Sequence, residues 1–277
     1  MARPAQEPKE YTEQSSLMPV GFIGHGAPTL ALEKDNPVVE AWKAWGQSLP
    51  KPKAVLVVSA HWLQKPPHLG PLNLVPLTYD FSGFPQELYE VEYEAPPAPK
   101  LAKEILHLLE RLGMKPGTNS DRGLDHGAWV PLMYLFPRAD VPALQISIGT
   151  NVSMSEHLTL GQALAPLRSK GVFILGSGNM THNLRKVDFS NREAPVVPWA
   201  KEFDEWCVEN LNRFDLNSLA NYQKLAPQAA MAHPTDDHFT PLLVAAAAAG
   251  KEGKPKIRYP YEGYEHGSLS MRCVEFQ

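Results

Sequence analysis

Two stretches of this chain, Ala54-Val-Leu-Val-Val-Ser59 and Gly171-Val-Phe-Ile-Leu175, are apolar at almost every position. A strand with one face in water alternates polar and apolar residues, whereas a strand covered on both faces reads as a continuous apolar run. Val20-Gly-Phe-Ile23 and Ala143-Leu-Gln-Ile-Ser-Ile148 have the same look. Helical patterns lie between these runs. Leu101, Ile105, Leu108, Leu109 and Leu112 recur at helical spacing within 98–112, and Gly113 follows as a stop. Ser155 to Leu167 and Val197 to Leu211 read as further helices. A last helix is expected to start at Thr235 or Asp236, either of which can cap it, and to run through the close-packing alanines 245–249 to Gly250. Strands alternating with helices predict an α/β sandwich, a central mostly parallel or mixed sheet flanked by helices. Residues 18–277 are expected to form one catalytic domain behind a flexible polar arm, residues 1–17.

Charge excludes several classes of partner. The net charge is −4 and the pI near 6.2, with no basic patch for nucleic acid and no basic cluster beside a long apolar stretch for a membrane surface. No apolar run approaches the roughly 20 residues that span a bilayer. Met1 to Ser16 lacks an apolar core of the secretory kind, so a cytoplasmic setting is expected. The two cysteines, Cys207 and Cys273, make no disulfide framework and no CxxC pair, and Cys207 falls among Phe203, Trp206 and Leu211 as a core thiol. The 27 prolines are scattered between apolar segments as punctuation, and the proline-rich connections 64–76 and 83–99 are long enough to shape a binding site. GxxxxGK[ST], HExxH and GxSxG are absent from the sequence, and Gly176-Ser-Gly178 reads as a turn.

The ten histidines carry the functional signal. Three apolar runs lead into one: Val20–Ile23 into Gly24-His25-Gly26, Val55–Ser59 into Ala60-His61-Trp62, and Val172–Leu175 into a segment ending at His182. In open α/β sheets ligands bind at the carboxyl ends of the strands. If these strands are parallel, the three imidazoles converge there, and His238 at the start of the last helix reaches the same crevice. His126 lies in a further loop, Leu124-Asp-His-Gly-Ala-Trp129. Neutral imidazole is a common ligand of zinc and iron, and three such ligands leave positions open for substrate. A free imidazole nearby can take a phenolic proton. His68, His107 and His157 read as ordinary surface or packing residues, and His233 and His266 as accessory at most. Trp62, Phe81, Phe84 and Trp129 are candidate pocket walls.

Seven segments then carry a resemblance. They are Gly24-His-Gly-Ala-Pro28, Val58-Ser-Ala-His-Trp62, Asp80-Phe-Ser-Gly-Phe-Pro85, Leu124-Asp-His-Gly-Ala-Trp129, Gly176-Ser-Gly-Asn-Met-Thr-His-Asn183, Pro234-Thr-Asp-Asp-His-Phe239 and Gly267-Ser-Leu-Ser-Met271. In this order the chain resembles the class III extradiol ring-cleavage dioxygenases, in the branch similar to DOPA 4,5-dioxygenase. The resemblance implies O2 insertion into a catechol-type ring to give a muconic semialdehyde, with a small aromatic diol and O2 as partners and a monomer or small homo-oligomer as the assembly. It implies one divalent metal per chain, with His25 and His61 as ligands. His238 falls where the branch similar to protocatechuate 4,5-dioxygenase has a glutamate ligand. His182 matches a histidine given the acid/base role, which in some relatives is a further metal ligand, and both roles stay open. His126 matches a histidine that contacts substrate. Three histidines also suit zinc. Zinc cannot change oxidation state, so Fe(II) is expected for activity while Zn(II) can occupy the purified protein. The alternatives on the same residues are a zinc-dependent hydrolase and a non-catalytic metal-binding protein.

Overall fold

The computed structural model describes residues 17–277, and all but the last residue of the N-terminal arm lies outside the described residues. The four apolar runs form strands β1 (Val20–Gly24), β2 (Ala54–Leu63), β5 (Ala143–Ile148) and β6 (Val172–Gly178). They are joined by β3 (His68–Gly70), β4 (Gly117–Thr118), β7 (Ile257–Tyr261) and β10 (Cys273–Phe276) in one sheet ordered β4-β3-β5-β2-β6-β1-β10-β7. The central pairs β1–β6, β6–β2 and β2–β5 are parallel, while β10, β7 and β3 add antiparallel pairings, so the sheet is mixed. A separate hairpin pairs β8 (Tyr264–Glu265) with β9 (Leu269–Ser270).

The continuous apolar runs have the predicted cause. Along a strand successive side chains point to opposite faces, and here each face meets a layer of helices. Val20, Phe22, Leu56, Val58 and Ile174 join one core with Ile105 of α2 (Pro99–Glu110), Leu164 of α4 (Met154–Leu164), Phe203 of α5 (Pro198–Arg213) and most of α9 (Thr240–Ala249). Ile23, Val55, Val57, Phe173 and Leu175 join a second core with Trp42 and Trp45 of α1 (Pro37–Ser48) and Trp129 of α3 (His126–Leu135). Short helices α6 (Leu216–Ala220), α7 (Tyr222–Leu225) and α8 (Ala229–Ala232) bridge α5 to α9. Cys207 is fully buried in the first core, as expected.

Several expectations are corrected. The last helix starts at Thr240, not at Thr235 or Asp236. The Asp236 side chain is drawn away to the Tyr222 hydroxyl at 2.9 Å and the Gln223 amide at 2.7 Å, so it does not cap. Its carbonyl instead closes an isolated turn with the amides of Phe239 and Thr240. His126 is not in a loop; it is the first residue of α3. The helix expected to reach Leu167 ends at Leu164 and tightens into a 3₁₀ segment containing Pro166. Gly176-Ser-Gly178 is no turn but the end of β6.

That last correction explains how α9 sits. A Cβ at Gly176 would clash with the carbonyl oxygen of Pro241, and one at Gly178 with that of His238. The amide of Asn179 donates to the same His238 carbonyl at 3.1 Å. Two glycines thus let the segment leading into α9 press on the end of β6, which sets the position of His238. Gly178→Ala should therefore cost about 1–3 kcal/mol or more by overpacking, read as a lowered urea midpoint, and should weaken metal binding. An unchanged midpoint would show that the backbone there can yield.

Candidate metal centre

The three central strands end side by side. Gly24 of β1 lies beside Gly178 of β6, and Ser59 of β2 beside Ser177 of β6. His25 follows β1 directly, and its amide donates to the Gly178 carbonyl at 2.9 Å. His61 projects from the last third of β2. His238 stands just before α9. The ring centroids are 4.9 Å apart for His25 and His61, 5.0 Å for His61 and His238, and 5.3 Å for His25 and His238. Residues distant in sequence are thus brought into one cluster, and a nitrogen from each of these three lies within 4.8 Å of the others. His126 adjoins it, 4.0 Å from the ring of His61, and His182 stacks on His238 at 3.4 Å with only 5° between the planes.

The proton positions follow from the outer partners. Ser177 has one hydroxyl hydrogen and donates it to the Gly127 carbonyl at 2.5 Å. Toward His25 Nδ1, at 2.9 Å, it can only accept, so that nitrogen carries the proton and Nε2 keeps its lone pair. His238 Nδ1 donates to the carboxylate of Asp237, and its Nε2 is buried with no hydrogen-bond partner among the described residues. His61 Nδ1 lies 3.3 Å from Asp80 Oδ2, which favours the same tautomer. His61 Nε2 then faces His25 Nε2 at 3.0 Å, lone pair to lone pair. Two such nitrogens repel unless a cation lies between them or one takes a proton. The donor set therefore fits a divalent metal, with imidazole ligands whose other nitrogen is held by a carboxylate or hydroxyl.

Protonation is the worse solution. Burial, reinforced by neighbouring histidines, holds His25 and His238 well below the usual imidazole value. Burial first, and then His126, brings His61 down to about 4, and burial likewise brings His182 to about 4. The carboxyls go the other way. Burial alone would raise Asp80, but the hydrogen bonds and charge of His126 outweigh it and bring the group down to about 2. His238 likewise holds Asp237 low against the effect of burial. At neutral pH four imidazoles of the cluster, those of His25, His61, His182 and His238, are uncharged and two carboxylates stand beside them.

Asp80, Asp237, Ser177 and Asp125 are the functional residues the sequence reading passed over. Asp125 is fully buried and takes hydrogen bonds from Ser59 at 2.7 Å, Gln145 at 2.8 Å and Arg122 at 3.1 Å, fixing the start of α3 against β2 and β5. Asp80 and Asp237 stand inside quoted motifs, but which imidazole each holds depends on the fold. The remaining histidines lie outside the cluster. His233 is buried against Phe203, Tyr222 and Phe239 and bonds the Met180 carbonyl at 2.8 Å. His266 bonds the Asp188 carbonyl at 3.0 Å. His68 belongs to β3 and His107 is exposed on α2. Of the aromatic candidates, Phe81 packs edge-on to His126 at 5.8 Å and against Phe84, whereas Trp129 is wholly in the core.

Residues 20–271 match the family described as the catalytic LigB subunit of aromatic ring-opening dioxygenase. The chain belongs to that family. It is 42% identical over 262 residues to a 4,5-DOPA dioxygenase extradiol of Beta vulgaris, covering 92% of this chain and 95% of the relative. It is 37% identical over 270 residues to the protein of that name in Escherichia coli K12, covering 96% and 97%. The crystal structure of an uncharacterized protein from Escherichia coli K12 superposes with a TM-score of 0.78 at 32% identity, covering 94% of this chain and all of the other. This LigB-family protein is an extradiol ring-cleaving dioxygenase acting on catechol-like substrates, and the family is non-haem and metal-dependent. Among the described residues no helix is long and apolar enough to cross a membrane.

The depressed imidazoles give this dioxygenase a pH signature. A histidine with a folded value near 4 and an unfolded value of 6.5 binds more protons when unfolded between those limits. Stability is therefore fully present above about 6.5, falls as the pH drops toward about 4, and is not regained below. Urea unfolding of the chelator-treated protein at stepped pH should show this slope. A flat profile across that window would contradict buried neutral histidines.

Proposed function

We propose that this dioxygenase holds one Fe(II) through Nε2 of His25, His61 and His238 and cleaves a small catechol beside its diol, with His182 and His126 handling protons. The observation that carries the metal assignment is the set of Nε2 lone pairs directed at one another by partners on the opposite ring nitrogens. When bound, Fe(II) supplies a redox-active Lewis acid at which diol and O2 meet.

The chain's own residues divide the remaining work. A ring's lone pairs lie in its plane, and the rings of His182 and His238 stack with their centroids 3.4 Å apart and 5° between the planes. Rings stacked in this way cannot both aim an in-plane lone pair at one point about 2 Å away, which favours the proton-transfer role for His182 over that of a fourth ligand. Its ring is neutral at working pH and can take a phenolic proton and return it later in the reaction. His126 donates from Nδ1 to Asp80 Oδ2 at 2.9 Å, leaving Nε2 as a second acceptor. Phe81, packed on His126, offers an aromatic face beside that acceptor.

The product is a muconic semialdehyde, and relatives named 4,5-DOPA dioxygenase make DOPA the first catechol to try. We read residues 18–277 as one catalytic unit, working in a reducing cytoplasmic setting that would keep Fe(II) and the buried Cys207 and Cys273 reduced.

Two experiments test this reading. The protein is stripped of metal, reloaded with Fe(II) or Zn(II), and offered DOPA and simpler catechols under O2. Yellow semialdehyde should form with iron only. An iron form inert on every catechol, or a zinc form active without O2, would reverse the assignment. His182→Ala should lower kcat about 10²–10⁴-fold while metal content by elemental analysis stays near one per chain. Lost metal in that variant would make His182 a ligand instead.

A further inference from the structure

We propose that Asp80 is a shared positioning residue: a single carboxylate oxygen holds both His61, on the metal side, and His126, on the proton-transfer side, so that metal affinity and turnover are set together. This rests on the metal and proton roles proposed above.

The geometry is specific to this residue. His25 is held by Ser177 and His238 by Asp237, each partner serving one imidazole. Asp80 Oδ2 lies 2.9 Å from His126 Nδ1 and 3.3 Å from His61 Nδ1. Its other oxygen, Oδ1, accepts the backbone amide of His126 at 3.0 Å, at the N-terminus of the ten-residue helix α3, where a carboxylate is favoured by the helix dipole. Both oxygens are thus committed: two N–H groups of His126 donate to this side chain, and His61 Nδ1 stands 3.3 Å from the same Oδ2, within ion-pair reach. Asp80 cannot turn to release one imidazole without disturbing the other and the helix start.

The segment that carries Asp80 is itself pinned. The Thr78 amide donates to the Leu124 carbonyl at 2.8 Å and its hydroxyl to the Gly123 carbonyl at 3.0 Å. A Cβ at Gly123 would clash with the Pro76 carbonyl, so the two segments run in backbone contact just before His126. Tyr79, the residue before Asp80, bonds the Val91 carbonyl at 2.8 Å through its hydroxyl. Asp80 is therefore placed by the pinned segment that leads into it and not by the imidazoles alone.

Asparagine is the informative replacement. An amide has one acceptor end and one donor end. With oxygen toward the His126 ring, its NH2 meets the His126 amide N–H; turned over, its NH2 meets the His126 Nδ1–H. Neither orientation satisfies both His126 donors, and neither presents a negative charge to His61. We expect Asp80→Asn to raise the Kd for Zn(II), measured by chelator competition on the metal-free protein, by about 10–100-fold, and to lower kcat of the Fe(II)-saturated enzyme by about 10–100-fold with KM little changed. His126→Asn should lower kcat while leaving the Zn(II) Kd near that of the unaltered protein, because the His61–Asp80 contact survives. If the amide variant does not fold, as judged by its thermal transition, Asp80→Ala, which leaves room for water, takes its place with the same readouts. Loss of metal affinity without loss of kcat, or the reverse, would overturn the proposal. The two levels separate through His25→Ala: if that change weakens Zn(II) binding and the Asp80 variant does not, this inference alone fails; if neither does, the metal assignment fails with it.

Discussion

The centre depends on a constraint simple to state and hard to meet: three imidazoles, two buried and one half-buried, must stay neutral and must aim their unprotonated nitrogens toward one another. A neutral imidazole has two tautomers, and the wrong one places a proton where a cation should sit. The protein decides the tautomer from behind the ring. Ser177, already committed to the Gly127 carbonyl, can only accept from His25, and the carboxylates beside His238 and His61 can only accept from their Nδ1 nitrogens. The direction of each lone pair is thereby a property of the second row of side chains. Within that row Ser177 is fixed by parallel strands in register, standing beside both Ile23 of β1 and Ser59 of β2, while Asp80 and Asp237 are held by the segments outside the strands.

The sheet explains why such a row can be built here at all. Strands buried on both faces lack solvent to satisfy polar groups, so the few polar side chains on them must find partners within the protein. Ser59, Gln145 and Ser177 are polar residues on mostly apolar strands, all essentially buried. Ser59 and Gln145 reach Asp125, and Ser177 reaches His25 and the carbonyl of Gly127. What looks in the sequence like an interruption of hydrophobic pattern is in each case a brace for the site.

The fold was legible because its cause is local. Apolar runs of four to six residues, helical spacing of leucines and a histidine after three of the runs are features of adjacent residues, and they give the observed sandwich, with histidines gathered at the carboxyl ends of parallel strands. The misreadings share a different cause. Asp236 has the side chain of a helix cap, but Tyr222 and Gln223 compete for it, and that competition exists only once α7 has packed. Gly176-Ser-Gly178 has the composition of a turn, yet α9 packs against the space its missing side chains leave. His126 reads as a loop residue because glycine and aromatic residues flank it; in the fold it opens α3, where Asp125 gives no side-chain cap and the amide of His126 is instead received by Asp80, 46 residues earlier. The roles of Asp80 and Asp237 were hidden for the same reason. A carboxylate's function here is defined by which ring nitrogen it faces, and that is a tertiary fact.

The charges of this second row bear on the proposed use of His238 as a ligand in place of a carboxylate. A site of two histidines and a carboxylate brings one negative charge into direct contact with the metal. In this chain the three candidate ligands are neutral, but two carboxylates lie one ring further out, on His61 and on His238, and both are held in the ionised form. A divalent cation and these two anions sum to zero, so the cluster as a whole needs no other counter-charge in a buried setting where an unbalanced charge is costly. The negative charge has been moved back across the width of an imidazole and has not been lost. At that distance it still favours the cation and strengthens the ring as a donor. It leaves the inner positions to neutral ligands and to a catechol that arrives with protons to give up.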